Sequence, residues 1–225
     1  MHIYRLRLTL QDPLYFATRE LGRLYVTERY LHNYALTYAL GLTKSSYYDA
    51  EHIPHYQEDL EPLNDQGIYV IPARPVESAY VTHTYKFANL YYHVKMQKNS
   101  KNLPTFGRVR ELAPESYFEA YVLSTNPTNL PKWIRLGKWM SKAELQTQEV
   151  TKIELKTGNF TFPYPLNPLD VMFTHQVVSY DVVNMPPVSL IQNVSIRQGQ
   201  YYEFENPNKS EKLRLPARMQ YRFQG

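Results

Sequence analysis

Residues 79–94, AYVTHTYKFANLYYHV, and residues 117–123, YFEAYVL, are two aromatic, β-prone runs that organise the rest of the chain. The polar stretch between them contains turn-forming residues, namely Asn99, Asn102, Pro104 and Gly107. Two β-prone runs joined by a long loop are typical of an extended β-hairpin. The sequence therefore predicts a hairpin from Tyr80 to Ser124.

The tip of this predicted hairpin is basic. No acidic residue occurs between Ser78 and Arg110, and the same segment carries six positive charges. These are Lys86, Lys95, Lys98, Lys101, Arg108 and Arg110. Lysine and arginine neutralise phosphates, and aromatic rings stack on unpaired bases; the stacking candidates are Tyr85, Tyr91 and Phe106. We expect this tip to bind single-stranded nucleic acid, the alternative being a solvated loop between two ordinary strands.

The composition excludes several classes of protein. The 225-residue chain has no cysteine, so disulfides, thiolate metal sites and thiol nucleophiles are ruled out. No apolar run approaches the roughly 20 residues of a membrane-spanning helix, and the start of the chain lacks the apolar core of a signal peptide. We therefore expect a cytoplasmic protein without a membrane partner. A net charge of +4 is compatible with an anionic partner.

The N-terminal part of the chain predicts one strand and one helix. Residues 2–10 alternate between apolar and polar side chains, which indicates a half-buried strand. A helix is expected from about Leu24 to Leu40, with Gly41 at its C-terminus. The acidic segment from Asp49 to Asp65 contains two prolines and is interpreted as an irregular surface loop.

The region after the hairpin predicts a second helix and a further strand. Ser141 and Glu144 have the spacing of a capping box at a helix N-terminus, and residues 149–156 alternate like a strand. The resulting order, β-α-β-β-α-β, is that of an α+β, ferredoxin-like or RNA-recognition-type domain. We assign this domain to residues 1–157.

Residues 158–225 are rich in proline and in β-prone patterns. Strands are expected at 175–183, 188–196, 200–205 and 213–223. In the last of these, one face is apolar and the other carries arginines. We interpret this region as a smaller, β-rich C-terminal subdomain.

Catalytic and metal sites are weakly indicated. His83 and His93 flank the basic tip and could move the proton of a 2′-hydroxyl in a metal-free ribonuclease. His52 and His55 lie among carboxylates and could hold a metal, but their proline-containing loop favours a solvated segment. No phosphate-binding loop, nucleotide-binding glycine motif or paired-histidine zinc motif is present. We predict no cofactor and no metal.

Two further groups of cations are candidate phosphate ligands. Arg19 and Arg23 precede the predicted first helix. Arg135 and Lys138 bracket Gly137, which allows a backbone to approach closely. The tryptophans on either side of that segment, at positions 133 and 139, are interpreted as core anchors.

Three stretches carry a resemblance to a known family. They are FATRELGRLY at 16–25, YLHNYALTYALGL at 30–42 and IRLGKWMSKA at 134–143. Together they resemble the small type I-D CRISPR Cascade subunit that caps the 5′ handle of the CRISPR RNA (crRNA). The likeness in length and motif order extends over essentially the whole chain.

This resemblance implies a RAMP-superfamily fold with a protruding thumb hairpin, here at about 94–116, and a C-terminal β extension. It implies a non-catalytic RNA-binding subunit that contacts the large subunit and the first backbone subunit, near the target DNA motif adjacent to the protospacer. A counterpart in a related subtype cleaves precursor RNA, so the alternatives are a metal-free endoribonuclease or a protein–protein adaptor without RNA contact.

Overall fold

The protein is described by a computed structural model that covers residues 1–45, 54–87, 105–205 and 212–223. Its strands are β1 (His2–Leu10), β2 (Arg19–Leu21), β3 (Leu24–Val26), β4 (Ile68–Val70), β5 (Arg74–Glu77), β6 (Tyr80–Phe87), β7 (Thr105–Leu112), β8 (Tyr117–Ser124), β9 (Trp133–Leu136), β10 (Ser141–Glu149), β11 (Glu154–Phe162), β12 (Gln176–Val183), β13 (Leu190–Glu205) and β14 (Lys212–Pro216). Its helices are short: α1 (Asn33–Ala39), α2 (Tyr56–Leu60), α3 (Pro62–Asp65) and α4 (Pro168–Val171).

The central sheet has six strands in the order β4-β8-β1-β10-β9, with β5 paired to β8. Strand β1 lies in the middle and is antiparallel to both of its neighbours. The predicted alternation of side chains along β1 was confirmed, but the face that was predicted to be polar is also buried. Ile3 on one face and Leu6 on the other are both inaccessible and belong to different hydrophobic cores. The central sheet is therefore covered on both sides.

The C-terminal sheet combines β11, β13, β12 and β14. Its inner face shares a core with the central sheet, in which Phe162, Leu215 and Tyr221 pack with Tyr121. The predicted alternation of residues 213–223 was confirmed, although the strand itself ends at Pro216. Residues 157 and 158, where the sequence divides the chain into two parts, both lie within β11. The division into 1–157 and 158–225 stays a prediction.

A third, four-stranded sheet has the order β2-β3-β7-β6, and we call it the hairpin sheet. Its hairpin pairs β6 with β7 over residues 80–87 and 105–112. The prediction that residues 117–123 form the second arm was wrong, because β8 pairs with β1 over its whole length in the central sheet. Arg108 and Arg110, predicted in the tip, lie in the second arm itself.

Three other local predictions were wrong. The predicted helix at 24–40 is helical only from Asn33 to Ala39, since Leu24–Val26 pairs in parallel with β7. Ser141 begins a strand, in which it and alternate residues up to Leu145 face the core. The described part of the acidic segment contains the short helices α2 and α3, whose Leu60 and Leu63 are buried. No helix in the described ranges is long and apolar enough to cross a membrane.

Candidate nucleic-acid interface

One face of the hairpin sheet is rich in cations. Lys86 is opposite Phe106 in the β6–β7 register, and Arg108 and Arg110 follow Phe106 at intervals of two. Because side chains alternate along a strand and match across a ladder, these four side chains project from the same face. We call this surface, defined by Lys86, Phe106, Arg108 and Arg110, the basic face.

Two cation–aromatic contacts organise the basic face. The guanidinium carbon of Arg23 lies 5.0 Å from the centroid of the Phe106 ring, and that of Arg110 lies 3.8 Å from the Tyr80 ring. The backbone N–H of Arg108 donates to the Arg23 carbonyl at 2.7 Å, which fixes the Arg23 loop beside β7. Such contacts hold guanidinium groups in place without neutralising them. Arg23, in the connection between β2 and β3, therefore adds a cation to the basic face.

Arg19 is also placed on this side of the sheet. It is opposite Val26, which in turn is opposite Arg110. Unlike Arg23, its guanidinium donates to the Glu28 carboxylate at 3.1 Å. An exposed ion pair of this kind is weak, so Arg19 can exchange Glu28 for a phosphate at small cost.

The opposite face of the hairpin carries a different set of groups. His83 and Tyr85 project from it, above Glu111. The Glu111 side chain is 3% exposed, and its Oε2 lies 3.9 Å from His83 Nε2. Burial raises the pKa of the Glu111 carboxyl, while His83 and a hydrogen bond from Tyr85 act in the opposite sense. Tyr85 and Phe106, both predicted as stacking residues, therefore project from opposite faces of the hairpin.

The turn after β9 adjoins this opposite face. Gly137 has a φ of +71°, and a Cβ atom there would lie 2.5 Å from the Tyr15 carbonyl oxygen. The backbone that approaches Gly137 is the protein's own at Tyr15, and the N–H of Lys138 donates to the same carbonyl at 2.9 Å. Trp139 packs on Tyr15 and reaches Tyr85 with ring centroids 6.0 Å apart. Lys138 directly precedes Trp139, whose ring contacts Tyr85 on the face opposite to the basic face.

The prediction that both tryptophans anchor the core was wrong. Trp133 and Trp139 are 45% and 48% exposed. Trp133 stands on edge strand β9 under the Lys142 ammonium, which is 4.0 Å from its ring. Arg135, on the same strand, donates to the Met140 carbonyl at 3.0 Å. The period-two pattern of Trp133, Arg135 and Gly137 against buried Ile134 and Leu136 could have identified these residues as exposed.

Several predicted residues cannot be assigned to either face. Lys95, Lys98, Lys101, Tyr91, His93 and His52 lie outside the described residues. His55 is 3.1 Å from Glu58. In the ranges that the structure describes, no cluster of three or more histidine, aspartate or glutamate side chains could hold a metal ion.

Comparison with known proteins identifies the family. A family model described as type I-D CRISPR-associated protein Cas5/Csc1 matches residues 1–224. No curated protein matches the chain.

Among solved structures, the chain is similar to one in the cryo-EM structure of the Type III-B Cmr-beta bound to cognate target RNA and AMPPnP, state 1. That match has a TM-score of 0.44 and 10% sequence identity and covers 86% of each chain. With the family model spanning nearly every residue, the chain belongs to the type I-D CRISPR-associated Cas5/Csc1 family.

Proposed function

We propose that this chain is a non-catalytic RNA-binding subunit of a type I-D CRISPR interference complex and that it caps the 5′ handle of the crRNA. The large subunit, the first backbone subunit and target DNA next to the protospacer-adjacent motif are its neighbours in this proposal. A ferredoxin-like core with a thumb hairpin, and a cytoplasmic location, also belong to the proposal.

The observation that carries the proposal is the basic face on a hairpin of a Cas5/Csc1-family chain. Lys86, Arg108 and Arg110 lie on one side of the β6–β7 ladder, with Phe106 exposed among them. A row of cations beside an aromatic ring suits a strand whose phosphates are neutralised and whose bases are unstacked. Lys95, Lys98 and Lys101 lie outside the described residues and belong to the proposal as predicted RNA contacts.

The salt dependence of RNA binding tests this role. Each phosphate contact with a single strand contributes about −0.7 to the slope of log affinity against log salt. The double variant R108Q/R110Q should therefore bind handle-containing RNA with a slope less steep by about 1.4. Fluorescence anisotropy over a salt series gives the slope directly.

A matched control removes two exposed cations elsewhere. Lys44 and Lys152 are exposed and lie on neither face of the hairpin sheet, so K44Q/K152Q should keep the wild-type slope. An unchanged slope for R108Q/R110Q would remove the basic face from the proposal. Equal losses in both double variants would indicate a general charge effect instead.

A second candidate function is metal-free RNA cleavage, and His83 carries it. Its ring is half exposed and its Nε2 lies 3.9 Å from the buried Glu111 carboxylate. A carboxylate beside a histidine can orient the ring for proton transfer. If this function is real, H83A abolishes cleavage of precursor RNA in the presence of a chelator. In the capping role H83A leaves RNA retention and complex assembly unchanged.

A further inference from the structure

A cavity of about 460 Å³ opens on the C-terminal sheet, where no predicted functional residue lies. Its lining contains two arginines, Arg197 and Arg218, together with His175, Gly199 and the glutamines Gln198 and Gln200, and no acidic side chain. We call it the cationic cavity. It shares no residue with the hairpin sheet.

The shape of the cationic cavity follows from local backbone features. Gly199 on β13 is opposite Gly158 on β11, so this row of the ladder carries no side chain. A Cβ atom at Gly199 would lie 2.7 Å from His175 Cδ2, so only glycine lets this histidine approach the sheet. Gln198 and Arg218 both have positive φ, at +46° and +57°. Non-glycine residues rarely adopt this conformation.

His175 forms a neutral wall of the cavity. Its Nε2 lies 2.9 Å from the Gln200 carbonyl, which can only accept, so Nε2 carries the proton and donates. Its Nδ1 is 2.8 Å from the Thr174 hydroxyl, which then donates to it. Burial lowers the pKa of the imidazole, and the nearby Arg218 acts in the same direction. The cavity charge therefore comes from its two arginines.

Neither arginine is engaged with a carboxylate. In the described part of the chain, Arg197 and Arg218 make no ion pair, in contrast to Arg214 on the same sheet, which donates to Glu203 at 3.1 Å. Two unpaired guanidiniums facing a polar cavity present a fork of N–H donors that matches the oxygens of a phosphate. The glutamine amides of the lining can donate to the remaining oxygens.

An exposed aromatic side chain precedes one of the lining residues in the sequence. Phe173 directly precedes the lining residue Thr174 and, at 69%, is the most exposed large apolar side chain of the described residues. The Arg222 guanidinium carbon lies 5.6 Å from its ring centroid. An exposed ring near a phosphate site is a combination that binds single-stranded nucleic acid, whereas a free phosphate needs no ring.

We propose that the cationic cavity binds a backbone phosphate of single-stranded nucleic acid through Arg197 and Arg218, and that Phe173 stacks on an adjacent base. This second contact rests on the proposed function, because it requires that the chain binds RNA. It extends the path of the nucleic acid from the hairpin sheet to the C-terminal sheet.

The test measures RNA affinity of the full chain across a salt series. R197Q/R218Q should make the slope of log affinity against log salt less steep by about 1.4, as expected for two lost phosphate contacts. F173L should weaken binding about tenfold, a typical stacking contribution, with the slope unchanged. K44Q/K152Q should match the wild type, and thermal unfolding should show that all variants are folded.

Each alternative outcome has a distinct reading. An unchanged slope for R197Q/R218Q overturns the inference, whatever R108Q/R110Q does. A less steep slope in R108Q/R110Q alone leaves the proposed function standing without the cavity. A less steep slope in R197Q/R218Q alone supports the cavity as an RNA contact and removes the basic face. Inorganic phosphate and 5′-AMP, used as probes, distinguish a free phosphate compound from a nucleic acid as the ligand of the cavity. If they raise the melting temperature of the wild type but not of R197Q/R218Q, while the RNA slope is unchanged, the ligand is a free phosphate compound and the nucleic-acid assignment is wrong.

Discussion

Glu119 is a buried carboxylate of the central sheet that accepts several hydrogen bonds. Its carboxylate accepts hydrogen bonds from Arg5, from Arg74 at 3.3 Å and from the Tyr164 hydroxyl at 2.9 Å. Glu119 is inaccessible and Arg5 is 1% exposed. A buried ion pair contributes little net stability, but removing one partner leaves the other charge buried without a counter-charge.

Replacing Glu119 tests this arrangement. E119Q leaves the buried Arg5 guanidinium without its counter-charge and should lower the free energy of unfolding by about 3–5 kcal/mol. The double variant R5M/E119L removes both fully buried charges, leaves only the partly exposed Arg74 without its ion-pair partner, and should lose less than E119Q. Urea denaturation followed by tryptophan fluorescence compares them. A loss below about 1 kcal/mol in E119Q would show that Arg5 is not dependent on this carboxylate.

Asp170 makes the stability of the fold depend on pH. Its carboxyl accepts hydrogen bonds from the Tyr69 hydroxyl at 2.7 Å, from Asn33 at 3.0 Å and from the Arg222 backbone N–H at 2.9 Å. Burial nevertheless raises the pKa of Asp170 from 3.8 to about 7. The folded state therefore holds the proton more tightly than the unfolded state does.

The sign of the pH effect follows from that pKa difference. The stability contributed by protonated Asp170 is complete below pH 3.8 and is lost as the pH rises through about 7. Between these values the free energy of unfolding of the wild type should fall relative to that of D170N, by about 1.4 kcal/mol for each rise of one pH unit. Denaturant unfolding at several pH values measures the difference. Parallel curves for the two proteins would contradict it.

At the scale of elements, the sequence predicted strands better than it predicted their partners. The alternation of residues 2–10 and 213–223 is local and was confirmed. The assignment of residues 117–123 to the hairpin failed because an aromatic strand pattern does not encode its partner. The register that pairs His2–Thr9 with Tyr117–Ser124 is set by burial on both faces of the central sheet. The helix predicted from the capping-box spacing at Ser141 was wrong because that spacing is also local. Alternate residues from Ser141 onward are buried in a strand instead.

The hairpin itself allows a comparison of its two faces. Phe106 on the basic face and Tyr85 on the opposite face are similarly exposed, at 42% and 38%. F106A should weaken RNA binding about tenfold because it removes a stacking surface among the cations. Y85A should have a much smaller effect. Fluorescence anisotropy at fixed salt measures both, and a larger loss in Y85A would assign the RNA to the other face.

At the scale of the whole molecule, the central sheet separates two hydrophobic cores. The two candidate RNA surfaces lie on the other two sheets, namely the hairpin sheet and the C-terminal sheet. The basic charges near the hairpin could be read from the sequence, because they follow one another along the chain. The contact of Arg23 with Phe106, the approach of Trp139 to Tyr85 and the cationic cavity could not. Each of them joins residues from distant segments, and only the folded chain brings them together.

The most direct test of the central claim is one gel that follows binding and cleavage of labelled repeat RNA together. The purified chain is incubated with RNA that contains or lacks the 5′-handle sequence, in the absence of metal. We predict salt-sensitive retention of intact RNA that requires the handle. Equal retention without the handle, or a discrete cut within the repeat, would contradict a non-catalytic capping subunit.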